Sequence, residues 1–158
     1  MWIVLVVLVA VGGAAVWLTP ERSPTESARP TSIESSSDVD SSEPRPLKLL
    51  MVELAQDMAR VNDGIWHGDR TMIADGAQAI ADHPEILPSQ METLKEKLGE
   101  RFSGFVGLDQ AVHDMAAELA QSAPKADMRA IVQSYGQLQQ GCVSCHAGYR
   151  DEVREVLY

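Results

Sequence analysis

The five residues 142–146, CVSCH, constrain this chain more than any other feature of its sequence. Two cysteines separated by two residues and followed directly by histidine are the signature of covalent c-type haem attachment. In a helix, residues three or four apart share one face, so both thiols can bind one porphyrin edge while His146 turns its imidazole toward the iron. We therefore expect one haem c, bound covalently through Cys142 and Cys145, with iron ligated by His146.

Other uses of a cysteine pair agree less well with this sequence. A structural zinc site needs about four ligands, and the chain has only two cysteines. A thioredoxin-like redox pair would accompany a βαβ pattern, and no alternating strand pattern is present. A local disulfide between the two cysteines of an exported chain remains an alternative, but it would leave the adjacent histidine unexplained.

The first 18 residues, MWIVLVVLVAVGGAAVWL, carry no charged side chain. Their length approaches that of a bilayer span, and Trp17 suits a membrane interface, so we predict an uncleaved membrane anchor over residues 1–18. The alternative is a cleaved signal peptide, although a basic n-region is missing and residues 12–15 make a poor cleavage site. Because bacterial c-type haem is attached outside the cytoplasm, the expected location is the periplasmic side of the inner membrane, or the soluble periplasm after cleavage.

Residues 19–45 are rich in Ser, Pro and Glu and almost free of large apolar side chains. Such a segment cannot bury enough surface to offset its ordering entropy, so we predict a disordered linker. A flexible chain of this length has an end-to-end distance of about 30 Å and a stretched limit of about 90 Å. The linker would therefore keep the following domain near the membrane.

Residues 46–158 show helical periodicity throughout, beginning with apolar residues that step by threes and fours from Leu47. Ser89 with Glu92 predicts a capping box. The predicted helices cover residues 47 to about 64–68, 69 to 82, 89 to 123 with a possible break at glycines 99, 104 and 107, and 127 to 157. Short connections between them predict an all-α, antiparallel four-helix bundle. In the last helix the haem-attachment residues fall on the apolar stripe, so we expect them to be buried.

The position of CVSCH adds a family resemblance. The motif lies within the last few turns, precedes Tyr149 and Arg150, and follows three predicted helices. This arrangement resembles the cytochrome c class II family, which comprises cytochrome c′ and its low-spin, Met-ligated relatives. Ordinary small cytochromes c carry the motif near the N-terminus and a Met ligand downstream, whereas fewer than fifteen residues follow His146 here. The resemblance covers residues 46–158.

The resemblance implies two possible states of the iron. In low-spin members a first-helix Met is the sixth ligand, and the matching residue is Met51. In cytochrome c′ an apolar residue stands there, and the five-coordinate iron binds small gases such as NO and CO. From periodicity alone, Met51 could equally be a core residue. Met58 and His113 are weaker ligand candidates, since the first suits core packing and the second a surface or propionate contact.

Arg150 follows His146 by one helical turn, and the resemblance places a basic residue there near the haem. The alternative is a surface Arg that pairs with Asp151 or Glu155. Leu47 occupies the position where the family commonly has a propionate-binding Arg, so Lys48 or Arg45 would have to replace it. His67 and His83 fall at helix ends and are interpreted as ordinary residues of the helix termini.

The net charge of the predicted helical domain indicates which kinds of molecule could bind it. Residues 46–158 contain 17 acidic and 10 basic side chains, a net charge of −7. We expect redox partner proteins with a basic docking face and no nucleic-acid partner, although an acidic surface also serves solubility. The resemblance also allows a homodimer. The expected function is single-electron transport rather than enzymatic catalysis, with gas binding as the alternative and a docking module of a larger membrane complex as a third possibility.

Overall fold

The described part of the chain is built from helices. The computed structural model describes residues 43–157, with side chains through residue 155. Its helices are α1 (Leu47–His67), α2 (Arg70–Ala81), α3 (Pro88–Leu98), α4 (Phe102–Ser122) and α5 (Met128–Leu157), with a 3-10 turn at Gly99–Arg101. These residues form no strand, only an isolated bridge between Arg45 and Ile86. The all-α prediction is confirmed for them.

The predicted membrane anchor lies outside the described residues, as does all of the predicted linker except residues 43–45. Between residues 43 and 157, no helix combines the length and the apolar character needed to cross a bilayer.

Glycine and aspartate set the turn between α1 and α2. Gly68 has a φ of 67°, a left-handed conformation that glycine adopts without a steric penalty. The N–H of Asp69 donates to the carbonyl of Gly64 at 2.9 Å, which closes the end of α1. The Asp69 carboxylate then accepts the N–H of Met72 at 3.0 Å and caps α2. The chain reverses within two residues, so α1 and α2 become antiparallel neighbours.

The predicted start of the third helix, a capping box formed by Ser89 and Glu92, was wrong. Pro88 is the first residue of α3, since its fixed φ suits that position and its missing N–H costs nothing there. Ser89 is therefore already helical, and its carbonyl accepts the Thr93 hydroxyl instead of forming a capping box. The predicted break is confirmed at Gly99, whose φ is 52°, and it separates α3 from α4. The helical segment predicted from 89 to 123 is thus the short α3 followed by the long α4.

Helices α1, α2, α4 and α5 contact one another in a ring, α1 to α2, α2 to α4, α4 to α5, and α5 back to α1. Helices α1 and α2 run antiparallel. Gly64 of α1 lies against Ile73 of α2, and Val61, earlier in α1, lies against Gly76, later in α2. The same holds for α2 and α4, where Arg70 donates to the carbonyl of Ala123 at 3.1 Å. A helical bundle of antiparallel neighbours is the result, and short α3 packs against α4 and α5.

Two clusters of buried apolar side chains fill the bundle. The main core cluster lies among α1, α2, α4 and α5 and consists of Val61, Ile73, Ala77, Ile80, Val112, Ala116, Leu119, Ala120, Ala123, Ile131 and Leu138. The cavity-end cluster joins α1 to α3 and the far end of α5 and consists of Leu47, Leu50, Ile86, Leu94, Leu98, Phe105 and Val153. Gln90 ties α3 to α1 because its side-chain oxygen accepts the N–H of Leu47 at 2.8 Å.

Candidate haem site

A cavity of about 970 Å³ opens among α1, α4, α5 and the connection between α2 and α3. It lies at the upper end of the roughly 300–1,000 Å³ range of cofactor pockets. Five members of the cavity-end cluster line it: Leu47, Leu50, Ile86, Phe105 and Val153. The lining is predominantly apolar, as is typical of sites for a large planar cofactor.

Four of the five site residues predicted from sequence line this cavity. Met51 reaches it from α1, and Cys145, His146 and Arg150 reach it from α5. Cys142 differs, because it packs against the main core cluster one turn earlier in α5. The structure thus brings together residues almost one hundred positions apart in sequence.

Both cysteines are half-buried free thiols. Burial raises the pKa of Cys142 and of Cys145, and the charges of Asp109 and Cys142 act on Cys145 in the same direction. Gly141 precedes them where α5 approaches α4 so closely that an added Cβ would lie 2.6 Å from the Met115 methyl carbon.

The attachment residues are less buried than predicted: Cys142 and Cys145 are half-buried, and His146 is exposed where it lines the cavity. The apolar stripe of α5 continues through His146, but this turn of the helix faces the cavity instead of a neighbouring helix. Within the described part of the chain, His146 makes no hydrogen bond or ion pair. Its ring nitrogens are therefore available to a ligand in the cavity.

The two methionines of α1 occupy different environments. Met51 is 38% exposed on the cavity wall, beside the exposed Val52. Met58, two turns later, packs against the main core cluster, and its carbonyl accepts the Tyr135 hydroxyl at 3.3 Å. Of these two candidate thioether ligands, only Met51 faces the same cavity as His146.

The family model described as Cytochrome C′ matches residues 48–150, well over half of the chain. This chain belongs to the cytochrome C′ family. The resemblance drawn from the position of CVSCH is confirmed. No curated protein and no solved structure gives a significant match. The region matched by the cytochrome C′ model runs from the first turn of α1 to Arg150, so it contains Met51 and the whole attachment motif.

Basic side chains surround part of the cavity. Arg150 and Arg154 line it from α5 and Lys48 from α1. Among residues 43–155, Arg150 makes no ion pair, and Glu155 instead pairs with Lys97 at 3.0 Å. Arg150 is exposed, as the surface alternative expects, but within the described residues it pairs with neither Asp151 nor Glu155.

Of the two replacements considered for the missing propionate-binding Arg, Arg45 is engaged elsewhere. Its guanidinium pairs with the carboxylate of Glu53, and both groups are partly buried. Lys48 lines the cavity instead. Lys48, unlike Arg45, therefore lies where a carboxylate in the cavity could be met.

Three polar residues near the cavity were not recognised together from sequence. His83, Asp109 and His113 form a compact cluster, and the first two also line the cavity. Interaction with the Asp109 carboxylate raises the pKa of His83, although burial opposes this shift. The spacing of Asp109 and His113, one turn apart on α4, was a usable local signal. The approach of His83 to them is a tertiary contact that no local pattern reports.

Proposed function

We propose that this protein is a c-type cytochrome that carries single electrons, with one haem c attached through Cys142 and Cys145 and held in the cavity. Membership of the cytochrome C′ family supports haem binding. Cys145 and His146 are adjacent in sequence and both line the cavity, so one turn of α5 can provide a tether and an iron ligand. Cys142, one turn earlier on α5, would supply the second thioether bond.

The described residues suit this cofactor. Apolar side chains of the cavity-end cluster line the cavity and keep water away from a porphyrin face. Arg150 and Lys48 place positive charge on the cavity lining, where it would stabilise the propionate carboxylates of a bound haem. When bound, haem supplies reversible one-electron chemistry at its iron, with a potential set by the axial ligands and their surroundings.

The observation that carries the proposal is that Met51 and His146 line one cavity from two different helices. A thioether opposite an imidazole raises the reduction potential and suits electron transfer. The Met58 thioether is held in the main core cluster, so it does not compete for this position. We therefore assign His146 and Met51 as the axial ligands.

The second candidate function is gas binding at five-coordinate iron, as the cytochrome C′ family match also suggests. One observation favours it. Met51 is 38% exposed on the cavity wall and belongs to neither cluster of buried side chains. If its thioether does not reach the iron, the cavity would leave one side of the iron open to NO or CO.

The proposal also includes the location of the protein and the kind of redox partner that it meets. A membrane anchor at residues 1–18 and a linker at 19–45 would hold the cytochrome on the periplasmic side of the inner membrane. The net charge of −7 on residues 46–158 favours redox partners with a basic docking face, and such encounters slow as salt rises.

The proposal is tested by Met51→Leu and Met58→Leu, which preserve side-chain volume while removing one sulfur each. In the ferrous protein, we expect Met51→Leu to convert a low-spin visible spectrum to a high-spin one. Met58→Leu is the matched control, since it lies on the same helix and should leave the spectrum low-spin. An unchanged spectrum in the Met51 variant would overturn the assignment of Met51.

A further inference from the structure

His83, Asp109 and His113 form a cluster that the electron-transfer proposal does not use. His83 lies in the connection after α2, and Asp109 and His113 lie one turn apart on α4. One potential ligand atom from each residue lies within 4.8 Å of the other two. Within residues 43–155, this is the one group of three His, Cys, Asp or Glu side chains that meets this distance.

Both imidazoles are oriented by the backbone of one short segment. Nδ1 of His113 donates to the carbonyl of Ala81 at 2.6 Å, and Nδ1 of His83 donates to the carbonyl of Pro84 at 2.8 Å. Ala81 is the last residue of α2, so its carbonyl has no partner within the helix. A hydrogen bond from Nδ1 to a carbonyl fixes the tautomer in which Nε2 carries a free lone pair. Histidine ligands of metals are held in this way.

The free Nε2 atoms both face the Asp109 carboxylate without touching it. Nε2 of His83 lies 3.8 Å from one carboxylate oxygen, and Nε2 of His113 lies 3.7 Å from the other. These separations exceed the 2.7–3.2 Å typical of a hydrogen bond. They are about 0.4–0.5 Å longer than the edge of about 3.3 Å of a tetrahedron with metal–ligand bonds of about 2.0–2.1 Å, so a small movement of the carboxylate would bring one oxygen within this distance of both nitrogens. The two rings are neighbours, 4.3 Å apart between centroids and tilted by 39°.

We propose that His83, Asp109 and His113 bind a divalent transition-metal ion of the Zn²⁺ type, through the two Nε2 atoms and the Asp109 carboxylate. Two imidazoles and one carboxylate are a common ligand set for zinc, with a water molecule in the fourth position. The carboxylate balances half of the charge of the ion. All three residues are partly buried, which limits competition from bulk water without closing the site to it.

The proposed ion lies at the wall of the cavity, since His83 and Asp109 contribute to its lining. It uses none of the residues assigned to haem attachment or iron ligation. The proposal of a metal site can therefore be tested separately from the electron-transfer proposal. Its main competitor is a proton, because a protonated His83 could pair with Asp109 and no metal would bind.

The test uses the full-length, haem-loaded protein, stripped of loosely bound metal with a chelator and then dialysed against Zn²⁺. Zinc and iron are counted per chain by elemental analysis. We expect about one zinc per chain, and X-ray absorption at the zinc edge should show nitrogen and oxygen ligands, including imidazole, at about 2.0–2.1 Å.

Asp109→Asn and His113→Gln should each weaken zinc binding by more than about 100-fold, because even residues that only orient metal ligands contribute about 10–100-fold. The matched controls are Asp114→Asn and His67→Gln, which alter an exposed carboxylate on the same helix and an exposed imidazole outside the cluster. They should bind zinc as the unaltered protein does. Circular dichroism checks that each variant keeps its helices. Absence of stoichiometric zinc, or equal loss in cluster and control variants, would overturn the proposal.

Discussion

The two ends of the bundle use the same amphipathic helices in different ways. At the packed end, Val61 of α1 and Leu138 of α5 are fully buried in the main core cluster. At the cavity end, Met51 of α1 is 38% exposed and His146 of α5 is exposed, although both continue the same apolar stripes. The difference shows that a stripe predicts which way a side chain faces, but not whether a helix or a cavity stands opposite. The proposed haem site lies where the two stripes face the cavity.

The largest expected effect comes from removing the attachment chemistry at the cavity end. In Cys142→Ala with Cys145→Ala, no thioether can form, so we expect complete loss of covalently bound haem. Haem staining after denaturing electrophoresis, together with the mass of the intact chain, measures this. The control is Val143→Ala with Ser144→Ala, which changes the two exposed residues between the cysteines and should retain the haem. Covalent haem in the double-cysteine variant would refute the attachment site.

A smaller effect is expected at the packed end from Gly64→Ala. An added Cβ would lie 2.8 Å from the Cγ1 of Ile73 and 2.9 Å from the backbone nitrogen of Ile73, and the backbone cannot yield as a flexible side chain would. We expect a loss of about 1–3 kcal/mol in the free energy of unfolding, as is usual for overpacking. Urea unfolding followed by circular dichroism measures it. Unchanged stability would mean that α1 and α2 are less closely packed than described.

The smallest effect, of opposite sign, is expected from Gly136→Ala on the outer side of α5. An added Cβ there meets nothing within 4 Å, so the substitution removes only the entropic penalty of a glycine inside a helix. We expect a gain of about 0.5–1 kcal/mol in the free energy of unfolding, measured in the same urea experiment. If Gly136→Ala and Gly64→Ala changed stability alike, helix propensity rather than packing would explain both.

Much of the fold could be predicted because its boundaries are set by local chemistry. Asp69 caps α2 and Gly68 closes α1, and both effects depend on a few neighbouring residues. The start of α3 was misplaced because Ser89 and Glu92 satisfy a capping pattern that Pro88, one residue earlier, makes unnecessary. Pro88 and the Ser89–Glu92 pattern predict different helix starts, and the sequence alone does not decide between them.

The sequence predicted which residues belong to the candidate site better than it predicted the surroundings of those residues. The attachment motif and the family resemblance selected Met51 over Met58, and the structure places only Met51 at the cavity. The exposure of His146 was not predictable, because periodicity carries no information about a cavity. The association of His83 with Asp109 was missed for a similar reason, since the connection after α2 reaches α4 only in the folded chain.

The central claim is that Met51 and His146 together ligate the iron of an electron carrier. The most direct test is the visible spectrum of the purified ferrous, full-length protein before and after addition of carbon monoxide. We predict narrow low-spin bands that carbon monoxide leaves largely unchanged, because the thioether occupies the sixth position. A broad high-spin band that shifts readily with carbon monoxide would contradict the claim and identify a five-coordinate, gas-binding protein.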